Sequence, residues 1–426
     1  MAISSIKGFR DVLPAESARR RGILDAARRV LEAYGYGEVE LPLLEKVELF
    51  KRSVGDTSDI VEKEMYAFED RDGATIALRP EGTASLVRAY LEAGLARAQP
   101  VARLWYSGSM FRRERPQKGR YRQFSQIGAE FLGREDAAAD AETLCLVADL
   151  CAAVGVRGMR IQVNSLGDAT CRPAYREKLT AYGRSVAAQL CDDCRARLER
   201  NPMRLLDCKN EGCRAAMENA PLMVDHLCDG CRSHHDEVLA LVAAAGVALE
   251  PNPRMVRGLD YYCRTAFEIT AEGQGAQDAI GGGGRYDGLV ATLGGPDLAG
   301  IGFAFGIERL QLASGGEQDD APAAPLALLA PIGAAAAPVA LALARRLRQT
   351  GCRIDLESPH RRLKAQMKQA DKAGARFVVI LGDAELESGR ATVRDLKAQK
   401  DYPSLFGLDD EAGAIVATLR AAVGTE

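Results

Sequence analysis

The stretch Met110–Glu130 reads MFRRERPQKGRYRQFSQIGAE. Its flanks, extended outward to Val101 and Leu132, read as strands, and between them lies a charged segment broken by Pro116 and Gly119, both turn formers. The simplest reading is a pair of antiparallel strands around a basic loop. Strand side chains alternate between faces. Arg112 and Glu114 therefore share one face, and Phe124, Gln126, Gly128 and Glu130 share one face of the return strand. Gln, Glu and Gly inside a strand are costly unless that face meets a polar partner or a close neighbour. Six basic residues, Arg112, Arg113, Arg115, Lys118, Arg120 and Arg122, fall within eleven positions. One hairpin thus offers cations, an aromatic plane and hydrogen-bonding groups together, the plainer alternative being a solvated hairpin with ordinary surface charge.

Outward from this hairpin, Ala15–Tyr34 carries Ile23, Ala27, Val30, Leu31 and Tyr34 at helical spacing, with Pro14 before it and Gly35 after it. The run EVEL (38–41) reads as a strand ended by Pro42. MYAFED and TIALRP, separated by RDG, predict a β-hairpin, and a helix is expected from Gly82 through Leu91. Ala138–Val154 is a predicted helix and MRIQVN (159–164) a predicted strand. From about Cys171 to Glu250 the texture changes to charged helix with clustered cysteines, and strands return with AFEIT, GRYDGLV and GIGFAFG. Hairpins alternating with helices favour an α+β main domain with a mixed, mainly antiparallel sheet over a doubly wound one. Beyond the acidic, Gly- and Pro-rich SGGEQDDAPAAP, short apolar strands alternate with helices, as in a small α/β domain with a largely parallel sheet. The expected layout is a main domain at 1–170 and 251–316, a helical Cys-rich insertion at 171–250, a linker at 317–324 and a last domain at 325–426.

Composition narrows the function classes. The chain is 426 residues long, more than one core usually supports, since single cores seldom grow past about 250 residues. With 56 Lys and Arg against 59 Asp and Glu, the net charge of −3 excludes a globally basic nucleic-acid coat or a polybasic membrane binder. Any RNA contact must use local patches. Charges at Lys7, Arg10, Asp11, Glu16 and Arg19 to Arg21 leave no apolar secretory core, so the cytoplasm is the expected location and its reducing conditions the expected setting of eleven cysteines. The charge-free stretch Ala321–Ala344 holds Pro322, Pro325, Pro331 and Pro338 and reads as linker, strand and helix start, with no membrane role. Neither a GxxxxGK(S/T) loop nor a GxGxxG turn is present. His226, His234, His235 and His360 all lie outside the segments of the main sheet, which argues against histidine as its acid or base. Arginine beside glycine and aromatics recurs instead, in RPEGT (79–83), RGLDYYCRTAFE (257–268), GGGGRYDGL (281–289) and GIGFAFGIERL (300–310). Taken singly these have plain readings: a buried salt bridge for Arg257 and Asp260, a flexible turn for the glycines, a solvated helix turn for Glu308 and Arg309.

Taken together they carry a resemblance. LPLLEKVELF with its Pro42, FRRE followed by RQF, and GFAFGIERL look like the three signature motifs of class II aminoacyl-tRNA synthetases, while RGLDYY and GGRYDGL resemble two motifs peculiar to histidyl-tRNA synthetases. The resemblance implies a class II catalytic domain, an anticodon-binding C-terminal domain, and a homodimer formed through the first motif. It implies a ligase that joins L-histidine to ATP as an adenylate, releases pyrophosphate, and passes histidine to tRNA(His). An α-carboxylate with a pKa of about 3.5 is already ionised at neutral pH, so this chemistry needs cations and positioning rather than a base. By the resemblance Arg112, Arg257 and Arg309 are the catalytic cations, with Arg112 and Arg257 at the α-phosphate and Arg309 at the γ-phosphate end. Glu114 and Phe124 complete the ATP site, and Mg²⁺ accompanies the phosphates. Glu81, Gly82, Thr83 and Gln126 match the contacts to the amino acid, and Glu130, Tyr261 and Tyr262 the imidazole pocket. Arg112 and Arg257 also border bound histidine.

For tRNA, the resemblance points to the loop holding Arg115, Gln117 and Arg120 at the acceptor end. The edge formed by His360, Arg361, Arg362, Lys364, Lys368 and Lys372 suits RNA contact, with a solvated helix face as the alternative. The insertion departs from plainer family members in its CxxC, CxxxxC, CxxC series. A structural zinc on Cys191, Cys194, Cys228 and Cys231 is one reading and packed or free thiols the other. A catalytically inactive regulatory subunit of ATP phosphoribosyltransferase is the alternative function; such relatives lose ATP-gripping arginines or the last domain. Membrane and DNA are not expected partners.

Overall fold

The computed structural model describes residues 3–55, 58–259, 261–272, 279–315, 324 and 326–402, in two compact units that divide at Gln318 and Asp319. In the first unit Ala102–Phe111 and Gln123–Leu132 form an antiparallel hairpin paired along its whole length. Gly300–Gly306, Ala279–Arg285, Cys263–Thr270 and Arg160–Ser165 extend it in that order, all antiparallel, and the two-residue strands Gly37–Glu38 and Glu250–Pro251 join the edges in parallel. The result is the mixed, mainly antiparallel sheet that the sequence implies.

Alternation explains what lies on each face. Ile127, Ala129 and Phe131 point to one side, where they meet Phe267, Phe303 and Phe305 and the apolar stripes of helices Pro14–Ala33, Ala137–Val154, Asp229–Ala244 and Ile307–Ala313. Helix Ala137–Val154 starts at Asp136, whose carboxylate accepts from the Ala139 N–H, and stops at Gly155 with φ 78°. Within this apolar layer Asp140 binds the fully buried Arg285 and, at 2.8 Å, His234 Nε2. Such a buried ion pair holds register because losing one partner strands the other's charge.

On the opposite face Leu86, Val87, Tyr90, Tyr106, Leu166, Tyr262 and Tyr286 make a second cluster. A small sheet, Leu44–Lys46, Thr75–Leu78 and Tyr66–Glu69, contains the expected MYAFED/TIALRP hairpin. The buried Arg79 beside it donates to the carbonyls of Leu41 and Ser109, tying the Pro42 segment to the long hairpin. The insertion contributes helices Arg172–Ser185, Asp192–Arg200 and Glu211–Ala216 around their own core. Helix Asp229–Ala244, by contrast, sends Val238 and Val242 into the main core.

Two strand expectations change. Of EVEL only Glu38 is in a strand, Gly37–Glu38, because the chain leaves the large sheet to form Leu44–Lys46 in the small one. Of GRYDGLV only Gly284 and Arg285 are strand: the strand is the glycine run Ala279–Arg285, and Leu289–Thr292 is a helical turn. The glycines are paired on both sides, so they are neither turn nor linker but sheet interior.

The second unit has a five-stranded sheet, Ile354–Leu356, Ala327–Pro331, Phe377–Leu381, Thr392–Asp395 and Lys400–Tyr402, with helices Ala336–Gln349 and Leu363–Lys372 packed on separate apolar clusters. Only its first three strands are parallel; the last two run antiparallel. The connection 382–391 is shorter than the dozen or more residues of a parallel crossover, so the chain must turn back. Pro331 and the run to Ala344 fall in strand and helix, as expected, and among the described residues no helix is long and apolar enough to cross a membrane. The 317–324 linker lies, apart from Ala324, outside the described residues, as do Asp260, residue 325 and residues 403–426 of the last domain.

Candidate active site

Phe124, Gln126, Gly128 and Glu130 face away from the helix-backed core, toward a cleft of about 940 Å³. Glu81, Thr83, Arg112, Glu114, Phe124, Gln126, Glu130, Arg257, Tyr261, Tyr262 and Arg309 all line it. Segments more than 200 residues apart in sequence are brought together because the hairpin, Gly300–Gly306 and Ala279–Arg285 are neighbours in one sheet.

The deep end is built around Glu130, which has no exposed surface. Its Oε1 accepts from Thr83 Oγ1 at 2.7 Å and its Oε2 from the Tyr286 hydroxyl. Room for this carboxylate comes from Gly302, its cross-strand partner, where a Cβ would stand 1.8 Å from Oε2. Burial pushes the carboxyl up to about 8, against the lowering effect of the two hydroxyls and with a further push from Glu81. Tyr106 lies between Gly82 and Gly128, neither of which has space for a Cβ. Gly82 accordingly acts through close backbone approach and does not itself line the cleft. Tyr261 and Tyr262 pack at a 56° tilt, 4.7 Å between ring centres, and Tyr286 meets Tyr261 edge-on at 5.7 Å. Glu81 accepts the N–H groups of Thr83 (2.7 Å) and Ala84 (2.9 Å), so it caps helix Thr83–Glu92 as well as facing the cleft. Burial raises its pKa, while those two N–H groups and Arg112 oppose the rise.

The outer part is cationic. Arg112 Nε donates to the Pro80 carbonyl at 2.8 Å, and its guanidinium lies 5.4 Å from the Phe124 ring centre. Glu114 accepts from Arg120 at 3.0 Å. Arg257 Nη1 donates to Glu268 at 3.0 Å, and the guanidinium lies 5.7 Å from the Tyr262 ring centre. Burial disfavours its charge, but Tyr262 and Glu268 more than offset that and raise its pKa. Arg309 donates to the Ala279 carbonyl; burial first, then repulsion from Arg120, pulls its pKa down to about 10, which leaves it charged at neutral pH. Its neighbour Glu308 is no solvated residue: it is buried and accepts the Ser125 N–H at 3.0 Å. The Tyr106 hydroxyl, Gln126 Oε1 and Arg257 Nε are buried with no partner among the described residues. Buried polar atoms without a protein partner at a cleft wall have hydrogen-bonding capacity left for a polar ligand or for water.

A family model described as histidyl-tRNA synthetase matches residues 8–310, and one described as an anticodon binding domain matches 327–403. The chain belongs to the histidyl-tRNA synthetase family. Similar curated proteins include the histidine–tRNA ligase of Geobacter metallireducens, 48% identical over 94% of this chain and 97% of its own length. That of Syntrophotalea carbinolica is 47% identical over 96% of this chain and 98% of its own. Among solved structures, apo histidyl-tRNA synthetase from S. aureus superposes with a TM-score of 0.80 at 34% identity, covering 98% of this chain and all of that one. A protein from Bacillus halodurans titled ATP phosphoribosyltransferase regulatory subunit/histidyl-tRNA synthetase shares the fold, at a TM-score of 0.66 and 21% identity, over 90% of this chain and 99% of that one.

Three placements in this family member bear on the expected sites. Arg120 lines the cleft, whereas Arg115 and Gln117 are exposed on the loop before it, outside the cleft. Arg361, Arg362, Lys364, Lys368 and Lys372 are exposed on and beside helix Leu363–Lys372. The four thiols Cys191, Cys194, Cys228 and Cys231 are not brought into one group; Cys191 and Cys194 gather with Cys208 and Cys213, and Cys228 and Cys231 with Asp168 and Cys171. Each CxxC opens a different helix, so each meets a different second pair. Sequence reasoning missed Tyr106, Tyr286 and Glu268 in the cleft. Tyr106 was findable, since Gly128 in a strand asks what large neighbour fills its place, and Tyr106 is its cross-strand partner.

Proposed function

We propose that this cleft carries out the histidine–tRNA ligase reaction. A carboxylate oxygen of L-histidine attacks the α-phosphorus of ATP, the bond to pyrophosphate breaks, and the histidyl group then passes to the terminal ribose hydroxyl at the 3′ end of tRNA(His) as AMP leaves. The observation that carries the reading is the pairing of a buried carboxyl framed by tyrosines with an arginine-walled outer chamber. Glu130, Tyr261 and Tyr262 take the imidazole, which offers one donor and one acceptor when neutral. Glu81, Thr83 and Gln126 hold the α-ammonium, and Gly82 lets the backbone come close.

Arg112 and Arg257 flank the α-phosphate and Arg309 takes the γ-phosphate end, where planar, permanently charged guanidinium groups bind bidentately. Phe124 stacks on adenine and Glu114 accepts from its amino group. Mg²⁺ enters with the ATP phosphates as part of the substrate complex. No residue need remove a proton in the first step, which suits a cleft with no histidine along it.

In this reading Arg115, Gln117 and Arg120 meet the tRNA acceptor end and the basic edge of the second unit meets RNA. Residues 1–170 with 251–316 form the catalytic domain, 171–250 the insertion and 325–426 the anticodon-binding domain. The enzyme works in the cytoplasm as a homodimer joined through Leu41–Phe50. A regulatory subunit would have no use for Arg112, Arg257 and Arg309 in one cleft. ATP–pyrophosphate exchange across the twenty amino acids, without tRNA, tests the proposal. Exchange with histidine alone is expected; exchange with none, or with another amino acid, overturns it.

A further inference from the structure

The two sulfur-rich groups have a common construction. In each, a CxxC pair opens a helix: Cys191 precedes Asp192–Arg200 and Cys228 precedes Asp229–Ala244, which puts the second thiol one turn inside and on the same side as the first. The second pair arrives from a separate segment. Cys208 and Cys213 bracket the start of Glu211–Ala216, and Asp168 and Cys171 lie just ahead of Arg172–Ser185. In both groups the four ligand atoms lie within 4.8 Å of one another. Cys191 and Cys208 sulfurs are 4.0 Å apart, Cys171 and Cys231 sulfurs 3.9 Å, and Cys228 Sγ and Asp168 Oδ1 3.9 Å. Bonded sulfurs would stand about 2.05 Å apart. Tetrahedral ligands at a Zn–S distance of about 2.3 Å have edges of about 3.8 Å.

The surroundings fit a bound dication. The Cys191 N–H donates to Cys213 Sγ at 3.1 Å and the Asp168 N–H to Cys171 Sγ at 3.3 Å, the kind of outer contact that steadies a ligating thiolate. Arg264, one of two non-glycine residues with positive φ among the described residues (46°), brings its guanidinium 3.6 Å from Asp168. Three thiolates and a carboxylate around one dication leave excess negative charge, and a neighbouring arginine offsets part of it.

We propose that the chain binds two structural Zn²⁺ ions, one in a Cys₄ site at Cys191, Cys194, Cys208 and Cys213 and one in a Cys₃Asp site at Asp168, Cys171, Cys228 and Cys231. Soft thiolate donors at tetrahedral spacing select zinc, and four protein ligands leave no open position for substrate. The Cys₃Asp ion staples the entry of the insertion to the start of helix Asp229–Ala244, 60 residues later. The Cys₄ ion sits at the cleft rim, which Cys191 and Cys208 line. The helix it anchors carries Arg197, and the following turn carries Arg204; both reach Asp59, at 3.5 and 3.1 Å. That ion therefore anchors a wall of paired charges, Arg197 and Arg204 with Asp59, along the substrate cleft.

The test is elemental analysis of the full-length protein purified without chelator, with X-ray absorption at the zinc edge. Two zinc ions per chain, with about 3.5 sulfur donors per zinc as the mean of the two sites, is the expected result. Replacing Cys208 and Cys213 by Ser should leave one zinc with fewer sulfur donors, and Asp168→Ala with Cys171→Ser should leave one with four. None or one zinc in the wild type, iron in its place, or a donor set dominated by nitrogen and oxygen overturns the proposal. The wild-type count and donor ratio decide it even if a variant fails to fold.

Discussion

Burial, with a further push from Glu81, lifts the Glu130 carboxyl above the ordinary carboxylate range, and this has a consequence for stability. Its carboxyl titrates at about 8 in the folded chain against an ordinary 4.5. Between those values the folded chain holds a proton that the unfolded chain has released, so this group makes stability fall as pH rises from about 4.5 to about 8. Glu130→Gln removes the titration. Its melting temperature should therefore vary less than the wild type's across that window, and parallel curves would refute the assignment. Arg257 makes a different prediction, because its proposed role is to stabilise charge that develops in the transition state. Arg257→Ala should slow histidine-dependent pyrophosphate exchange by about 10² to 10³-fold, the loss seen when one preorganised charge-stabilising donor is removed, and lower kcat more than it raises KM for ATP.

Individual strands gain their function from alternation and from the absence of side chains. On Gln123–Leu132, alternate residues serve the core and the cleft, which is legible from period 2 in the sequence alone. Gly302 has no such legibility, because its meaning depends on which residue stands opposite. Gly302→Ala would put a methyl group into the Glu130 carboxylate, forcing that side chain or the strand to move, at a cost of about 1–3 kcal/mol. The expected kinetic result is a KM for histidine raised at least about tenfold, since misplacing a polar group by about 1 Å is costly, with KM for ATP nearly unchanged. Titration of exchange rate against each substrate checks this. The glycine run Ala279–Arg285 shows the limit of local reading. Glycines favour turns, yet here they are strand because neighbours on both sides supply the pairing.

At the scale of the whole molecule, every residue proposed for adenylate formation lies in the first unit, and the exposed basic helix edge lies in the second. A chain ending at residue 318 should retain histidine-dependent pyrophosphate exchange within about threefold while losing most aminoacylation of tRNA, provided the first unit folds alone; its circular dichroism and melting curve establish that condition. Loss of both activities from a folded fragment would show that the second unit contributes to the first step.

Local patterns in the sequence carry the family, the type of the main sheet and the residue types that face the cleft. Each of these is written in local patterns: period 2 around a basic loop, arginine beside glycine, and five separated motifs in one order. Tertiary structure alone decided which groups meet. It seated Tyr106 against Gly82 and Gly128, opened space for Glu130 at Gly302, and turned the last two strands of the second unit antiparallel. It also split the cysteines into two groups and brought in Asp168 as a partner. The physical reason is common to all: spacing along the chain constrains neighbours within one helix or strand, but contacts between elements depend on how separate segments pack, and no single segment encodes its partner.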